Sequence, residues 1–343
     1  MAQQTISVGI LGLGRIGRSV GLALKRYNTT KNAQQAFVVT GFDSRDILSS
    51  SAMQAKAVDH VSRSVIGAVE DKDIVVFALA ASELPAAYRN VAGEIRVGGV
   101  LLDLSTYALP SLELAKKHLK AETHLVSMTP VLNPKYLFDG LDDEDHASED
   151  LFDRGAFLIA PAVNTESEAV ELAVGFAEIV GAAGVFVDPA EHDGWMASLE
   201  SLPAILGLGT FASMTERDGW QDSRKAANAS FGRLTHHLHD THPDDLRDFL
   251  LNNRTNAVNA LDHAIASFQT IRDILVNNDQ LALEELIIRN STAYEKWVNE
   301  RNKGQWDSPN KSQDSQSVGD IAMRGMFGGF LAKKLKGGKD DKK

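Results

Sequence analysis

Runs of consecutive apolar residues alternate with helical stripes over the first half of the chain. Ile6-Ser7-Val8-Gly9-Ile10-Leu11, Phe37-Val38-Val39-Thr40-Gly41-Phe42, Ile74-Val75-Val76-Phe77-Ala78-Leu79 and Val100-Leu101-Leu102-Asp103-Leu104 read as strands of a parallel sheet covered on both faces. Shorter runs at Leu125-Val126-Ser127-Met128, Ala156-Phe157-Leu158-Ile159 and Val185-Phe186-Val187 carry that sheet on to about Asp188. After Pro189 the pattern is helical throughout. The stretch from His192 to Met214 is apolar nearly all round, which predicts a buried helix that Pro203 kinks or restarts. Val258, Leu261, Ile265, Phe268, Ile271 and Leu275 then recur at three- and four-residue steps, and Leu283, Leu286, Ile287, Tyr294 and Trp297 form a second stripe. Two long amphipathic helices of this kind commonly pack on a partner subunit, so a homodimer is expected. From Gly304 the sequence turns polar and loses its period, which predicts a flexible tail. At its end Ile321, Met323, Met326, Phe327, Phe330 and Leu331 precede Lys333, Lys334 and Lys336, a short amphipathic piece with a basic finish that docks on the protein or touches a membrane surface. The expected organisation is α/β: a doubly wound parallel sheet over residues 1–189, an all-α domain over 190–304 and the tail over 305–343.

Between the first strand and the first helical stripe, Gly12, Gly14 and Gly17 make a G-x-G-x-x-G fingerprint. The first glycine permits the tight turn, the second lets a pyrophosphate approach the backbone, and the third lets the helix pack on the sheet. The phosphates then sit at the helix N-terminus, beside the amides of Gly14, Arg15 and Ile16, where the dipole is positive. This is a Rossmann-type arrangement, and it predicts a dinucleotide cofactor. The second strand ends at Asp43, placed to accept hydrogen bonds from a ribose diol, which favours NAD. Ser44 and Arg45 follow at once, and an arginine there can accommodate a 2′-phosphate, which leaves NADP open.

With 343 residues, 43% of them hydrophobic, the chain can bury a core in two domains. No run approaches the roughly 20 apolar residues of a membrane span, and no basic-then-apolar signal opens the sequence, so a cytoplasmic protein is expected. A net charge of -11 argues against general nucleic-acid binding. The absence of cysteine excludes disulfides, thiolate nucleophiles and thiolate metal sites. The acidic run around Asp139, Asp142, Asp143, Glu144, Asp145, Glu149, Asp150 and Asp153 reads as a solvated loop, and neither it nor the cluster His236, His237, His239 and His242 has the spacing of a known metal site.

Two segments carry a longer likeness. Leu151-Phe152-Asp153-Arg154-Gly155-Ala156-Phe157-Leu158-Ile159-Ala160-Pro161 and Val180-Gly181-Ala182-Ala183-Gly184-Val185-Phe186-Val187-Asp188-Pro189-Ala190-Glu191-His192-Asp193 resemble the prephenate dehydrogenase family, from the first strand to about Trp297. The resemblance implies an NAD(P)-dependent oxidoreductase acting on prephenate or arogenate in tyrosine biosynthesis. In that chemistry a hydride leaves a carbinol carbon for the nicotinamide while carbon dioxide is lost. Position by position, the family's His-Pro pair falls on Thr129-Pro130, and its Asp-x-Gly-Ser-x-Lys on Asp103-Leu104-Ser105-Thr106-Tyr107-Ala108. Its Ser-His-Leu-Pro-His falls on Glu200-Ser201-Leu202-Pro203-Ala204, without the histidines, and its substrate-gripping arginine on His236, with Arg233 nearby. Thr106, Thr129, Ser201 and His236 therefore stand as candidate catalytic residues of an altered pocket. A dehydrogenase of another small substrate and a non-catalytic dinucleotide sensor are the alternatives. His192 and Asp193 read first as a helix start, with Asp193 as N-cap.

Overall fold

The computed structural model describes residues 4–31, 33–139 and 144–304. The tail and Asp142 and Asp143 of the acidic run lie outside these residues. An eight-stranded sheet has the order β3-β2-β1-β4-β5-β6-β7-β8. Its strands are β1 (Gln4–Leu11), β2 (Gln35–Phe42), β3 (His60–Val61), β4 (Ile74–Phe77), β5 (Val100–Asp103), β6 (His124–Val131), β7 (Ala156–Pro161) and β8 (Ala183–Phe186). All neighbours pair in parallel except β6 and β7, which are antiparallel, with Met128 opposite Ile159. The sheet is thus doubly wound, with its last two strands, β7 and β8, running opposite to the other six where a uniformly parallel arrangement was expected.

The helices of this half are α1 (Arg15–Asn28), α2 (Asp46–Gln54), α3 (Val65–Val69), α4 (Leu84–Val91), α5 (Ala108–His118) and α6 (Ser167–Ile179). The unbroken apolar runs have a direct cause. In β4, Ile74 and Val76 join one core with Ile10, Val20 and Phe176, while Val75 and Phe77 join another with Tyr88, Val91 and Leu101. Successive side chains point to opposite faces, and both faces are roofed by helices, so every position must be apolar.

After β8 the chain is helical: α7 (Pro189–Met196), α8 (Leu202–Thr215), α9 (Trp220–Ser223), α10 (Ala229–Thr235), α11 (His237–Asp240), α12 (Pro243–Asn252), α13 (Arg254–Val276) and α14 (Gln280–Lys303). One wide π-turn, Ala197–Ser201, joins α7 to α8, and Pro203 sits in the first turn of α8, where its missing N–H costs nothing. Pro203 therefore restarts the helix. The expectation of a buried helix is corrected: only Ala204 and Gly207 of α8 are buried. The expected N-cap is corrected too. Asp188 caps α7, accepting from the amides of Ala190 and Glu191, while Asp193 lies inside that helix.

Candidate active site

The three fingerprint glycines have three different structural reasons. Gly12 adopts φ +89°, and a Cβ there would lie 2.2 Å from the carbonyl oxygen of Ala78. A Cβ on Gly17 would lie 1.9 Å from the carbonyl oxygen of Gly12. Around Gly14, by contrast, a Cβ would meet no protein atom within 4 Å. The protein itself thus needs glycine at 12 and 17 but not at 14. Gly14 is also the N-cap of α1, offers it no side chain, and is followed by no acidic residue in the first turn. An open space at an uncapped helix N-terminus is the place for a phosphate anion.

Asp43 follows β2 and is nearly buried. Its Oδ2 accepts the N–H of Leu13 at 2.8 Å and its Oδ1 that of Arg45 at 2.9 Å. Each carboxylate oxygen retains a further lone pair, which suits a ribose diol. Ser44 and Arg45 are exposed; the Arg45 guanidinium lies 3.5 Å from Asp43. Arg15 turns away from the fingerprint: its guanidinium pairs with Asp139 at 2.8 Å and lies over the Tyr136 ring, 5.4 Å from its centroid.

A cleft of about 810 Å³ starts at Gly14, Arg15, Ile16 and Arg45, passes Ala78 to Ala81 beyond β4, and reaches Ser105, Thr106 and Tyr107 beyond β5. It therefore lies at the carboxyl ends of the strands, across the reversal of strand order between β1 and β4, where open α/β sheets bind dinucleotides. Its far wall is helical and includes Glu200, Ala204, His237, Asp240, Asp245 and Phe249.

Of the four candidate catalytic residues, Thr106 faces the cleft. Thr129, in β6, stands behind the wall and donates its hydroxyl to the Ser105 carbonyl at 2.8 Å. Ser201, fully buried at the end of the π-turn, is hydrogen-bonded to the Tyr107 hydroxyl. His236 precedes the lining residue His237, the two rings 4.0 Å apart, and bonds Asp240 through Nδ1 at 2.9 Å. His239 holds the other oxygen of Asp240, also at 2.9 Å. Partial burial alone would raise the Asp240 carboxyl, but these two histidines prevail and hold it below its ordinary value. Arg233 is exposed and does not line the cleft.

Sequence reasoning missed Tyr107, His237, Asp240 and Glu200. Tyr107 stacks on Phe249, centroids 5.1 Å apart, and burial pushes its hydroxyl up to about 12 against the opposing bonds from Ser201 and Asn253. Its place beside Thr106, after an apolar strand of the sheet, was the available signal. For Glu200 the signal was its place in the family's Ser-His-Leu-Pro-His segment and for His237 the histidine cluster, whereas for Asp240 there was none, because helix packing alone brings it to this wall.

The chain matches two family models. Residues 21–186 match "Prephenate dehydrogenase, nucleotide-binding domain", and residues 188–288 match "Prephenate dehydrogenase, dimerization domain". The first match begins inside α1, past the fingerprint glycines, so the phosphate cradle stands on its own geometry. Prephenate dehydrogenase of Bacillus subtilis is 22% identical over 291 residues, covering 81% of this chain and 72% of the relative. The A. aeolicus prephenate dehydrogenase solved with hydroxyphenyl propionate and NAD+ superposes with a TM-score of 0.72 at 16% identity, covering 86% of this chain and 99% of that one. Synechocystis arogenate dehydrogenase gives a TM-score of 0.64 at 16% identity over 85% of this chain and all of that one (100%). With both family models matched in sequence, the chain belongs to the prephenate dehydrogenase family.

Proposed function

We propose that the chain is an NAD-dependent dehydrogenase of the prephenate type, which takes a hydride from a carbinol carbon of prephenate or arogenate as the ring carboxylate leaves as carbon dioxide. The observation that carries this reading is the empty space at Gly14, on the N-terminus of α1, continuous with a cleft that ends on the helical wall. NAD, when bound, supplies the hydride acceptor. The chain's own groups do the rest. The α1 N-terminus and the backbone at Gly14, Arg15 and Ile16 hold the pyrophosphate, and Gly12 and Gly17 shape the turn. Asp43 takes the ribose diol, and Ser44 and Arg45 border it, where Arg45 also suits the 2′-phosphate of NADP. Thr106 bonds the reacting end of the substrate. Thr129 and Ser201 set the wall through Ser105 and Tyr107, and His236 acts through Asp240. Residues 1–189 form the nucleotide-binding unit and residues 190–304 the substrate and dimer unit.

We place the chain in the cytoplasm, and the helical unit supports a homodimer. Among the described residues no helix is long and apolar enough to cross a membrane. Yet α14 has no buried residue, and Phe268, Leu275, Ile287 and Trp297 are exposed on α13 and α14. A second copy would cover these stripes, in line with the dimerization-domain match.

One observation favours a second reading, a dehydrogenase of a less anionic substrate. Among the described residues, the helical wall carries Glu200, Asp240 and Asp245 and no lysine or arginine. A substrate with two carboxylates ordinarily meets cationic donors. The experiment is cofactor reduction, followed by absorbance, with NAD and NADP each against prephenate and arogenate. Reduction with either substrate is the expected result. Tight NAD binding with reduction by neither would overturn the prephenate-type reading and favour the second.

A further inference from the structure

Behind the cleft, His192 and Asp193 are buried on α7 against the start of another helix. Asp193 Oδ1 accepts the N–H of Ala108 at 2.7 Å and Oδ2 that of Leu109 at 3.1 Å. These are the first amides of α5, so the carboxylate caps a helix far from its own in sequence and lies at its positive end. His192 Nδ1 is 2.9 Å from Asp193 Oδ1. A carboxylate oxygen accepts, so this ring nitrogen is the donor, and the bond fixes the ring and the carboxylate against each other. From the helical side, Asn253 Nδ2 donates to the Asp193 carbonyl at 2.6 Å. The group therefore ties α5 to α7 and to the start of α13.

What it holds in place is the connection from β5 into α5. Asp103 and Thr129 fix the near end of that connection: Asp103 accepts the Ser105 N–H at 2.9 Å, and Thr129 bonds the Ser105 carbonyl. Ser201 and Phe249 hold Tyr107. Asp193 fixes the far end. Because adenosine lies toward Asp43 and β2, the nicotinamide half of a dinucleotide extends over β4 and β5, onto Ser105, Thr106 and Tyr107.

We infer that His192 and Asp193 form a clamp that positions the Ser105–Tyr107 wall against the nicotinamide end of the cofactor. They are positioning residues, since neither lines the cleft. A small displacement of such a wall weakens binding and slows the reaction. The inference rests on the dinucleotide reading above.

The test compares NADH with ADP-ribose, which lacks the nicotinamide, on the full chain. Affinities come from cofactor fluorescence and calorimetry, with hydrogen exchange read at Ala108 and Leu109. Asp193→Ala is expected to weaken NADH about tenfold, the scale of one charge-assisted hydrogen bond, while ADP-ribose changes by less than about twofold. Exchange at the two amides accelerates. His192→Gln and Asp193→Asn, milder changes that guard against a variant failing to fold, give the same selectivity at smaller size. Equal loss of both ligands overturns the clamp, and so does faster exchange with unchanged NADH affinity, which is what a purely structural cap predicts. If the wild-type chain binds neither ligand, the dinucleotide reading falls and the clamp with it. If it binds both and only the selectivity fails to appear, the clamp alone falls.

Discussion

The sheet half and the helical half bury their apolar residues in different ways. Around the sheet, Val75, Val76, Leu101, Leu102 and Phe157 are wholly enclosed by helices of the same chain. In the helical half, α8 is apolar nearly all round but buries only Ala204 and Gly207, α13 buries only Ala257 and Ala260, and α14 buries nothing. The first half completes its own core. The second offers surface, part of it to the cleft and part, on our reading, to another copy. The cofactor turn therefore belongs to the half with a closed core, whereas substrate choice and assembly, on our reading, fall to the half with open surface.

The sharpest way to break this contrast is inside the fingerprint. Gly17→Val drives a side chain into the Gly12 carbonyl and should cost more than about 4 kcal/mol, enough to lose the cooperative melt of the sheet half. A Cβ at Gly14 meets no protein atom within 4 Å, so Gly14→Val should leave the melting temperature within a few degrees while weakening NADH binding about a hundredfold. Equal damage from both would mean that the space at Gly14 serves the fold and not a ligand. Next in size is the helical surface. Phe268→Glu and Ile287→Glu, both at exposed positions, should barely destabilise a monomer yet convert a dimer to monomer in sedimentation and remove any concentration dependence of Tm. A wild-type chain that sediments as a monomer would refute the interface. Thr106→Val, on the cleft wall, should lower kcat about tenfold, the scale of one hydrogen bond.

The smallest effect joins the two halves. Burial raises the Tyr107 hydroxyl from the ordinary 10.0 to about 12. A group raised in the folded state is favoured there in its protonated form, so its contribution is complete below pH 10 and is lost as pH rises from 10 through 12. Tyr107→Phe should therefore flatten the alkaline loss of stability in that window, at about 1 kcal/mol lost near neutrality with the Ser201 bond. An unchanged alkaline slope would show that Tyr107 is not the group responsible.

The strands were legible because a sheet roofed on both sides imposes an apolar residue at every position, and β4 obeys this throughout. Direction was not. A short run such as Ala156-Phe157-Leu158-Ile159 reads the same either way, and pairing with β6 decides that β7 is reversed. The two-residue strand β3 is too short to show a period. The stripes of α13 and α14 were visible, but a stripe does not say whether its partner lies in the same chain. At the site, the turn that requires glycine at 12 and 17 was legible because it follows from local backbone geometry. Asp240 and Glu200 reach the cleft through packing of helices distant in sequence, and Asp193 was misjudged because the helix it caps begins 85 residues earlier.

The π-turn at Ala197–Ser201 sets a phase. An α-helix advances about 100° per residue, and a π-turn holds one residue more than an α-turn, so everything after it is rotated by that step relative to α7. His192 and Asp193, ahead of it, point at the start of α5, while Ser201, its last residue, and Ala204, after it, point at Tyr107 and the cleft. Deleting one residue here would give a more regular helix and put these two sets of side chains out of step. For this chain, then, the count of residues between the clamp and the pocket is as much a part of the site's specification as the identity of any of them.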